Sequence, residues 1–490
     1  MSSATVRTRF APSPTGFMHV GNLRTALYEY LVAKSQGGHF VLRIEDTDQA
    51  RQVDGATDII YQTLAECGLK HDEGPDIGGP YAPYVQSERL NDYRRIAEQL
   101  VAEGKAYYCF CTQDRLSQVK ADGDGFTGYD RHCRDLTPET VSDLLSKGTP
   151  YVIRQKMPLD GQTTFSDCVY GDITVDNTEL EDQILLKSDG FPTYNFANVI
   201  DDHAMGITHV VRGSEYLSST PKYNLLYEAL GYPVPTYIHL PLILGEDGQK
   251  LSKRHGATSF QDLVAEGYLP EVIINYIALL GWSPTGEQEI FSLAELVETF
   301  HIEGISKSPA VFDYKKLTWF NGEYIRRMPL ETFAKAIQPF LVDALPNLEN
   351  RDLLVLAQML QPRINTYQEI PHLVAFLNTP PTVYDPELYV HKKMKTTLSS
   401  ALEPLERLYP LIADLTTWNI ETIHDFLIQT ASDWGVKNGQ VMWPLRIALS
   451  GLGVTPGGAV EILYLLGKTQ ALARIQHGIQ ILQDNRSTEA

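Results

Sequence analysis

Val6 to Phe10 alternates between apolar and polar positions, the period of a half-buried strand, and a loop rich in proline, serine and glycine follows. From Asn22 the apolar residues Leu23, Ala26, Leu27, Tyr30 and Leu31 recur at helical spacing. Gly37-Gly38 predicts the end of that helix, and Phe40 to Ile44 reads as a second strand. Residues 5–45 therefore form a strand–helix–strand unit, the start of a parallel sheet with a right-handed crossover. Ligands of such sheets gather at the carboxyl ends of the strands, where Arg9 and the run Glu45-Asp46-Thr47-Asp48 lie.

The pattern then changes. Gly74 to Pro83 is rich in glycine and proline, and residues 105–190 mix cysteines, short strands and turns, which predicts an inserted domain. Strand and helix alternate again at Ala197 to Ile200 and His209 to Val211, followed by a helix entered at Thr220-Pro221 and stopped by Gly231. The sheet is thus expected to resume after the insertion. Beyond about residue 330, Leu353-Leu354, Leu356, Met359-Leu360, Ile462-Leu463 and Leu465-Leu466 recur in helical patterns, so the last third is expected to be all-helical.

Composition narrows the class. At 490 residues, 43% hydrophobic and 21% charged, the chain suits three or more globular domains. Its start lacks an apolar signal region, and stretches such as Val272 to Trp282 are too short to span a bilayer. Five cysteines (Cys67, Cys109, Cys111, Cys133, Cys168) suit a reducing compartment, and a cytoplasmic protein is expected. A net charge of −20 argues against non-specific nucleic-acid binding. A structured RNA could still dock on local basic strips, because screening limits a charge's reach to roughly 8–10 Å. Lys315-Lys316, Arg326-Arg327 and Lys392-Lys393-Met394-Lys395 are such strips, or simply solvated faces.

Two constellations carry chemistry. In Ala11-Pro12-Ser13-Pro14-Thr15-Gly16-Phe17-Met18-His19-Val20-Gly21-Asn22, small residues let the backbone approach a planar base, and a helix N-terminus with His19 faces phosphate. In Lys250-Leu251-Ser252-Lys253-Arg254, flanked by Gly248 and Gly256, paired lysines can neutralise charge that builds up when a bond between α- and β-phosphates breaks. Read singly, the first is a loop into a helix and the second a basic surface turn. Placed at opposite ends of one split sheet, they point to ATP activation. Arg9, Arg212 and Glu45, two cations and an anion, stand at predicted strand ends.

These residues resemble the class I aminoacyl-tRNA synthetases, and closely the glutamyl-tRNA synthetases. The matching stretches are Arg9 to Gly16, Leu42 to Asp48, Pro192 to Tyr194, Val199 to His203, Val211 to Glu215, Lys250 to Arg254 and Val311 to Asp313, spread over essentially the whole chain. The class signature His-Ile-Gly-His stands here as His19-Val20-Gly21-Asn22. The resemblance implies an α/β fold: a Rossmann-type parallel sheet split by an inserted α+β domain, then an all-α anticodon-binding region. The implied domains are the first catalytic half over 1–84, an acceptor-stem-binding insert over 85–193, the second catalytic half over 194–246 and a connecting domain over 247–328. Helical anticodon-binding domains over 329–380 and 381–490 follow. It also implies an ATP- and Mg²⁺-dependent ligase that forms glutamyl-adenylate and transfers glutamate to the 3′-terminal adenosine of tRNA(Glu), with tRNA(Gln) a second candidate acceptor. A monomer without membrane contact is implied.

The resemblance assigns catalysis to His19, Gly21, Lys250, Ser252 and Lys253, and ATP binding to Ala11, Pro12, Ser13, Gly16, His19, Gly21, Asn22, Lys253 and Arg254. Glutamate falls to Arg9, Ala11, Ser13, Glu45, Tyr194, Asn198, Arg212 and Glu215, with either arginine open to either carboxylate; the plainer reading of Arg212 is a surface ion pair with Glu215. Some members carry zinc on a Cys-x-Cys and a Cys-x-His pair. Here Cys109, Cys111 and Cys133 are present with Asp135 in the histidine's place, His132 being a further candidate ligand. Gln361-Pro362-Arg363 corresponds to a stretch where an arginine helps some members to separate glutamate from glutamine anticodons. A nucleotidylyltransferase sharing the His-x-Gly chemistry and a glutaminyl-tRNA synthetase are the competing readings.

Overall fold

In the computed structural model, which describes residues 5–48, 51–122, 129–347 and 352–489, β1 (Arg7–Phe10) and β2 (His39–Leu42) pair in parallel from Arg7↔His39 to Phe10↔Leu42. The helix Val20–Lys34 crosses between them and starts at Val20 rather than Asn22, because His19 caps it: Nδ1 of the ring accepts from the Gly21 N–H at 3.0 Å. Its buried residues include Leu23, Ala26, Leu27 and Leu31 but also Arg24, Tyr28 and Glu29, so it is enclosed on nearly every side rather than along one stripe. Gly38 permits the return into β2, since a Cβ there would lie 2.2 Å from the Val6 carbonyl oxygen.

The chain after β2 contributes β3 (Ala106–Cys109), β4 (Val152–Gln155), β5 (Gln162–Asp167), β6 (Gly171–Asp176) and β7 (Ile184–Leu186). Strands β3, β4 and β7 form their own antiparallel sheet. The hairpin of β5 and β6 does not stay with them. After β8 (His209–Gly213) and β9 (Thr236–Leu240) have paired in parallel, β5 adds to β9 through Asp167↔Tyr237, giving the order β6-β5-β9-β8. The Cys168 N–H donates to the Tyr237 carbonyl at 2.9 Å. Val41, Phe165, Val210 and Tyr237 share one core, so the hairpin and the parallel strands bury the same apolar surface.

Strand β8 lies alongside β1: the Thr208 N–H donates to the Arg7 carbonyl at 2.9 Å, and the Arg7 N–H to Thr208 Oγ1 at 2.8 Å. Residues expected to alternate around Ala197 to Ile200 belong to the helix Tyr194–Ala204, which packs with Tyr93, Ile96, Tyr223 and Leu226. The helix Thr220–Leu230 has Pro221 in its first turn and ends on Gly231 in the left-handed region (φ 68°). Short parallel strands β10 (Ile243–Leu244) and β11 (Ala310–Val311) complete the first of two compact units, residues 1–265 and 269–314.

The second unit comprises residues 266–268 and 315–490. Its helices run from Tyr314–Arg327, whose first residue belongs to the other unit, to Ala459–Glu489, the latter broken at Gly467 (φ 72°). Leu356, Leu360, Val374, Leu405, Leu427, Leu445 and Leu449 are buried within it. Its extended pairing among the described residues is the isolated bridge His391↔Thr396.

Candidate active site

The loop after β1 is pinned along its length. The Arg43 N–H donates to the Phe10 carbonyl (2.9 Å), the Glu45 N–H to Pro12 (3.0 Å) and the Val53 N–H to Pro14 (3.1 Å). Its far end pairs with the chain just beyond the lysine loop through the bridge His19↔Ser259, with Val20 N–H to Thr258 carbonyl (2.8 Å) and Phe260 N–H to Met18 carbonyl (2.9 Å). The two constellations, far apart in sequence, are thus joined backbone to backbone.

Between them opens a cleft of about 1060 Å³ lined by Arg9, Ala11, Pro12, Ser13, His19, Gly21, Asn22, Glu45, Tyr194, Arg212, Glu215, Lys250 and Ser252, among others. Of the remaining expected residues, Asn198 lies one layer behind. Gly16 (φ 118°) and Arg254 are not part of the lining, and the side chain of Lys253 lies outside the described residues. Burial, with the charge of Lys250, holds the His19 pKa below its ordinary value, and the Leu251 backbone opposes this. His19 is therefore neutral at pH 7, and since Nδ1 accepts from Gly21, its proton sits on Nε2. A Cβ on Gly21 would come within 3.3 Å of that ring.

The lysine loop is braced from within. The Leu251 N–H donates to the Ile243 carbonyl (3.0 Å), and the Ser252 N–H donates to His255 Nδ1 (3.0 Å). The other ring nitrogen of His255 meets Asp247 at 3.1 Å, and Arg254 pairs with the same carboxylate at 3.3 Å. Lys250 lies 3.8 Å from Glu215 and is exposed towards solvent.

Behind the cleft is a buried charge network that sequence reading missed. Arg9 pairs with Glu29 (3.0 Å) and Asp202 (2.9 Å); Arg43 pairs with Glu45 (2.9 Å) and Asp202 (2.7 Å). Asn198 donates to Glu45 (3.2 Å) and accepts from Arg9 (3.4 Å), while Asp201 takes Arg89 (2.7 Å) and the Tyr93 hydroxyl (2.8 Å). Such pairs are stable only when each member is further hydrogen-bonded. Three lone carboxylate oxygens stand out: Glu29 Oε2, Glu45 Oε2 and Asp202 Oδ2 are buried without a partner. Burial pushes the Glu29 carboxyl up to about 8 against the pull of Arg9 and the Val211 N–H, and also raises Glu45. The one signal of this network in the sequence is Glu29 itself, an acid among apolar helix positions.

Arg212 is placed differently. It is buried, stacks on Tyr223 with its guanidinium carbon 4.3 Å from the ring centre, and donates to His239 Nε2 (3.0 Å) and Thr220 Oγ1 (2.8 Å). The ion pair with Glu215 that its sequence spacing offered is absent among the described residues; the Glu215 carboxylate folds over Gly213, where an added Cβ would meet Oε2 at 1.9 Å. Arg9 therefore carries a buried counter-ion in Asp202, whereas among the described residues Arg212 has none.

In the insert, Cys109, Cys111 and Cys133 converge, their sulfurs all within 4.8 Å of one another. The Tyr129 hydroxyl reaches Cys109 at 3.2 Å and Cys111 at 3.7 Å. Asp135 and His132 are exposed and do not join the group.

The comparisons with known proteins agree along the whole chain. The family described as "tRNA synthetases class I (E and Q), catalytic domain" matches residues 5–319, and an "Anticodon binding domain" matches 332–479. Among curated relatives, a glutamate–tRNA ligase of Clostridium kluyveri is 56% identical over 481 residues, 98% of each chain, and one of Clostridium novyi is 55% identical over 99% of each. A crystal structure of a glutamate–tRNA ligase from Elizabethkingia meningosepticum, in complex with its amino acid, superposes with a TM-score of 0.88 at 38% identity, covering 98% of this chain and 100% of that one. With its parallel catalytic sheet and helical second unit, the chain belongs to the glutamate–tRNA ligases of the class I tRNA synthetases.

Proposed function

We propose that this chain joins L-glutamate to tRNA(Glu) at the expense of ATP, in two steps within the cleft between the Ala11–Asn22 and Lys250–Arg254 loops. The observation that carries this is a charge complement at the cleft wall: the buried Arg212 guanidinium, which meets no carboxylate among the described residues, and the buried Glu45 Oε2, which has no donor there. A zwitterionic substrate with a spare carboxylate supplies what each lacks.

Glutamate places its ammonium at Glu45, and its carboxylates at Arg212 and the Arg9 side of the cleft. Its ionised α-carboxylate attacks the α-phosphorus of ATP in line, the bond to the β-phosphate breaks, and pyrophosphate leaves. No side-chain nucleophile is required, so the protein contributes position and charge. His19 presents its Nε2 proton towards phosphate, and Lys250, with Lys253, offsets the charge that develops on the leaving group. Mg²⁺ bound to the triphosphate supplies further charge neutralisation. A ribose hydroxyl of the terminal adenosine then attacks the mixed anhydride, forming the aminoacyl ester and releasing AMP. Glutamine would leave one buried guanidinium without its carboxylate, so selectivity should exceed what size alone gives.

The 85–193 insert is the proposed acceptor-stem contact, and the helical domains 329–380 and 381–490 the anticodon contact, with exposed Arg363 the residue that separates tRNA(Glu) from tRNA(Gln). Three convergent thiols fit zinc in donor type and spacing, and zinc there would cross-link the insert. All five cysteines are free thiols, in keeping with the cytoplasm. Among the described residues no helix is long and apolar enough to cross a membrane. The proposed working unit is the monomer.

Charging assays with glutamate or glutamine and tRNAs for both amino acids test this directly; attachment of glutamate is expected, and failure to charge either tRNA with either amino acid would remove the reading. Lys250→Ala should slow ATP–pyrophosphate exchange by about 100-fold with little loss of stability. Elemental analysis of untagged protein should return one zinc per chain, and its absence would withdraw the metal assignment.

A further inference from the structure

A buried guanidinium that is to receive a substrate carboxylate must be held in place without being neutralised. Arg9 meets it only in part, since Glu29 and Asp202 already take its donors. Arg212 meets it. Its Nε–H donates to His239 Nε2 at 3.0 Å and one Nη to Thr220 Oγ1 at 2.8 Å, both neutral acceptors, and no carboxylate among the described residues lies within ion-pair distance.

His239 can accept from Arg212 only as a neutral ring whose proton is on Nδ1. Asp167 imposes that tautomer. Its Oδ2 accepts from His239 Nδ1 at 2.7 Å and from the His239 backbone N–H at 3.1 Å, while Oδ1 is committed to the backbone N–H groups of Val169 (2.9 Å) and Tyr170 (2.8 Å). Both side chains are fully buried. Burial keeps the His239 pKa below its ordinary value, with Asp167 opposing and Arg212 reinforcing the shift. The chain of contacts runs from β5 of the inserted hairpin, through β9, to β8 at the cleft.

We propose that Asp167 and His239 are positioning residues for substrate recognition: Asp167 fixes the tautomer of His239, and His239 holds Arg212 as an uncompensated cation aimed at a substrate carboxylate. This rests on the reading of Arg212 as a glutamate-binding residue.

The test is the Michaelis constant of the full-length protein for glutamate, against that for ATP, in charging assays. His239→Asn keeps a donor towards Asp167 but has no atom at the Nε2 position; its glutamate KM should rise about 10-fold or more, the loss of one hydrogen bond to a charged group. His239→Gln places an amide oxygen near Nε2 and should return the glutamate KM to within about 3-fold of the parent. The ATP KM should stay unchanged in both. Equal glutamate KM values for the two variants, or an equal rise for ATP, would overturn the proposal. Should either variant fail to fold, Asp167→Asn gives a second route: an amide facing Nδ1 favours the opposite tautomer, turns an N–H against Arg212, and should raise the glutamate KM selectively; an unchanged value overturns the proposal. Arg212→Gln separates the two ideas. If it leaves the glutamate KM unmoved, the underlying reading of Arg212 fails; if it raises KM while His239→Asn does not, the positioning role alone fails.

Discussion

Glu29 combines full burial, one unpartnered oxygen and a carboxyl pushed up to about 8 by burial. A carboxyl whose folded value exceeds its ordinary 4.5 binds its proton more tightly in the folded than in the unfolded chain. Its contribution is fully present below 4.5 and is lost as pH rises through 8. Glu29→Gln, neutral at every pH, should therefore reduce the fall in Tm between pH 5 and pH 8, by a free energy on the order of a few kcal/mol at most. Parallel pH-dependent falls in parent and variant would contradict this. At this scale the sequence is informative about types rather than partners. Arg9, Glu45 and Arg212 are legible as a charge set because they end strands. That Arg9 is already spoken for by Glu29 and Asp202 is not, since hydrogen bonds to side chains so distant along the chain leave no local periodicity. Tyr129 beside the three cysteines is another case: its hydroxyl enters the group only because the turn into Cys133 brings it there.

The elements near the start were the most readable. A strand, a helix and a second strand follow from alternation, helical spacing and a glycine pair, and the structure forms all three. The helix start was misplaced by the periodicity because a histidine cap is not a usual capping signal. The hairpin of β5 and β6 was unreadable as part of the catalytic sheet: its alternation, with Phe165 and Asp167 inward, is that of any half-buried ribbon, and nothing in it names β9 as the neighbour. Gly38, in contrast, announces a constraint that the packing confirms. Gly38→Ala should destabilise the protein by about 1–3 kcal/mol, seen as a lower urea midpoint at constant slope, because its Cβ would collide with the Val6 carbonyl, a backbone atom with little freedom to withdraw. A midpoint equal to the parent's would mean that the β1–β2 return is softer than it looks.

For the whole molecule, every residue lining the cleft lies in the first compact unit. A chain ending after Met328 should therefore bind ATP with a Kd within about 3-fold of the full chain, as read by calorimetry, while losing tRNA selectivity. The split of that unit also has a consequence during synthesis. Strand β1 ends at Phe10, but the strand beside it, β8, begins only at His209, and β9 ends at Leu240. At roughly 5–20 residues per second, the ribosome needs on the order of 10–50 s to deliver the missing neighbours. For that interval the nascent N-terminus offers an open strand edge and a helix built to be covered on all sides, with nothing yet to cover them. Factors that shield emerging chains thus have a defined window on this protein, and slowing translation across the insert would lengthen it.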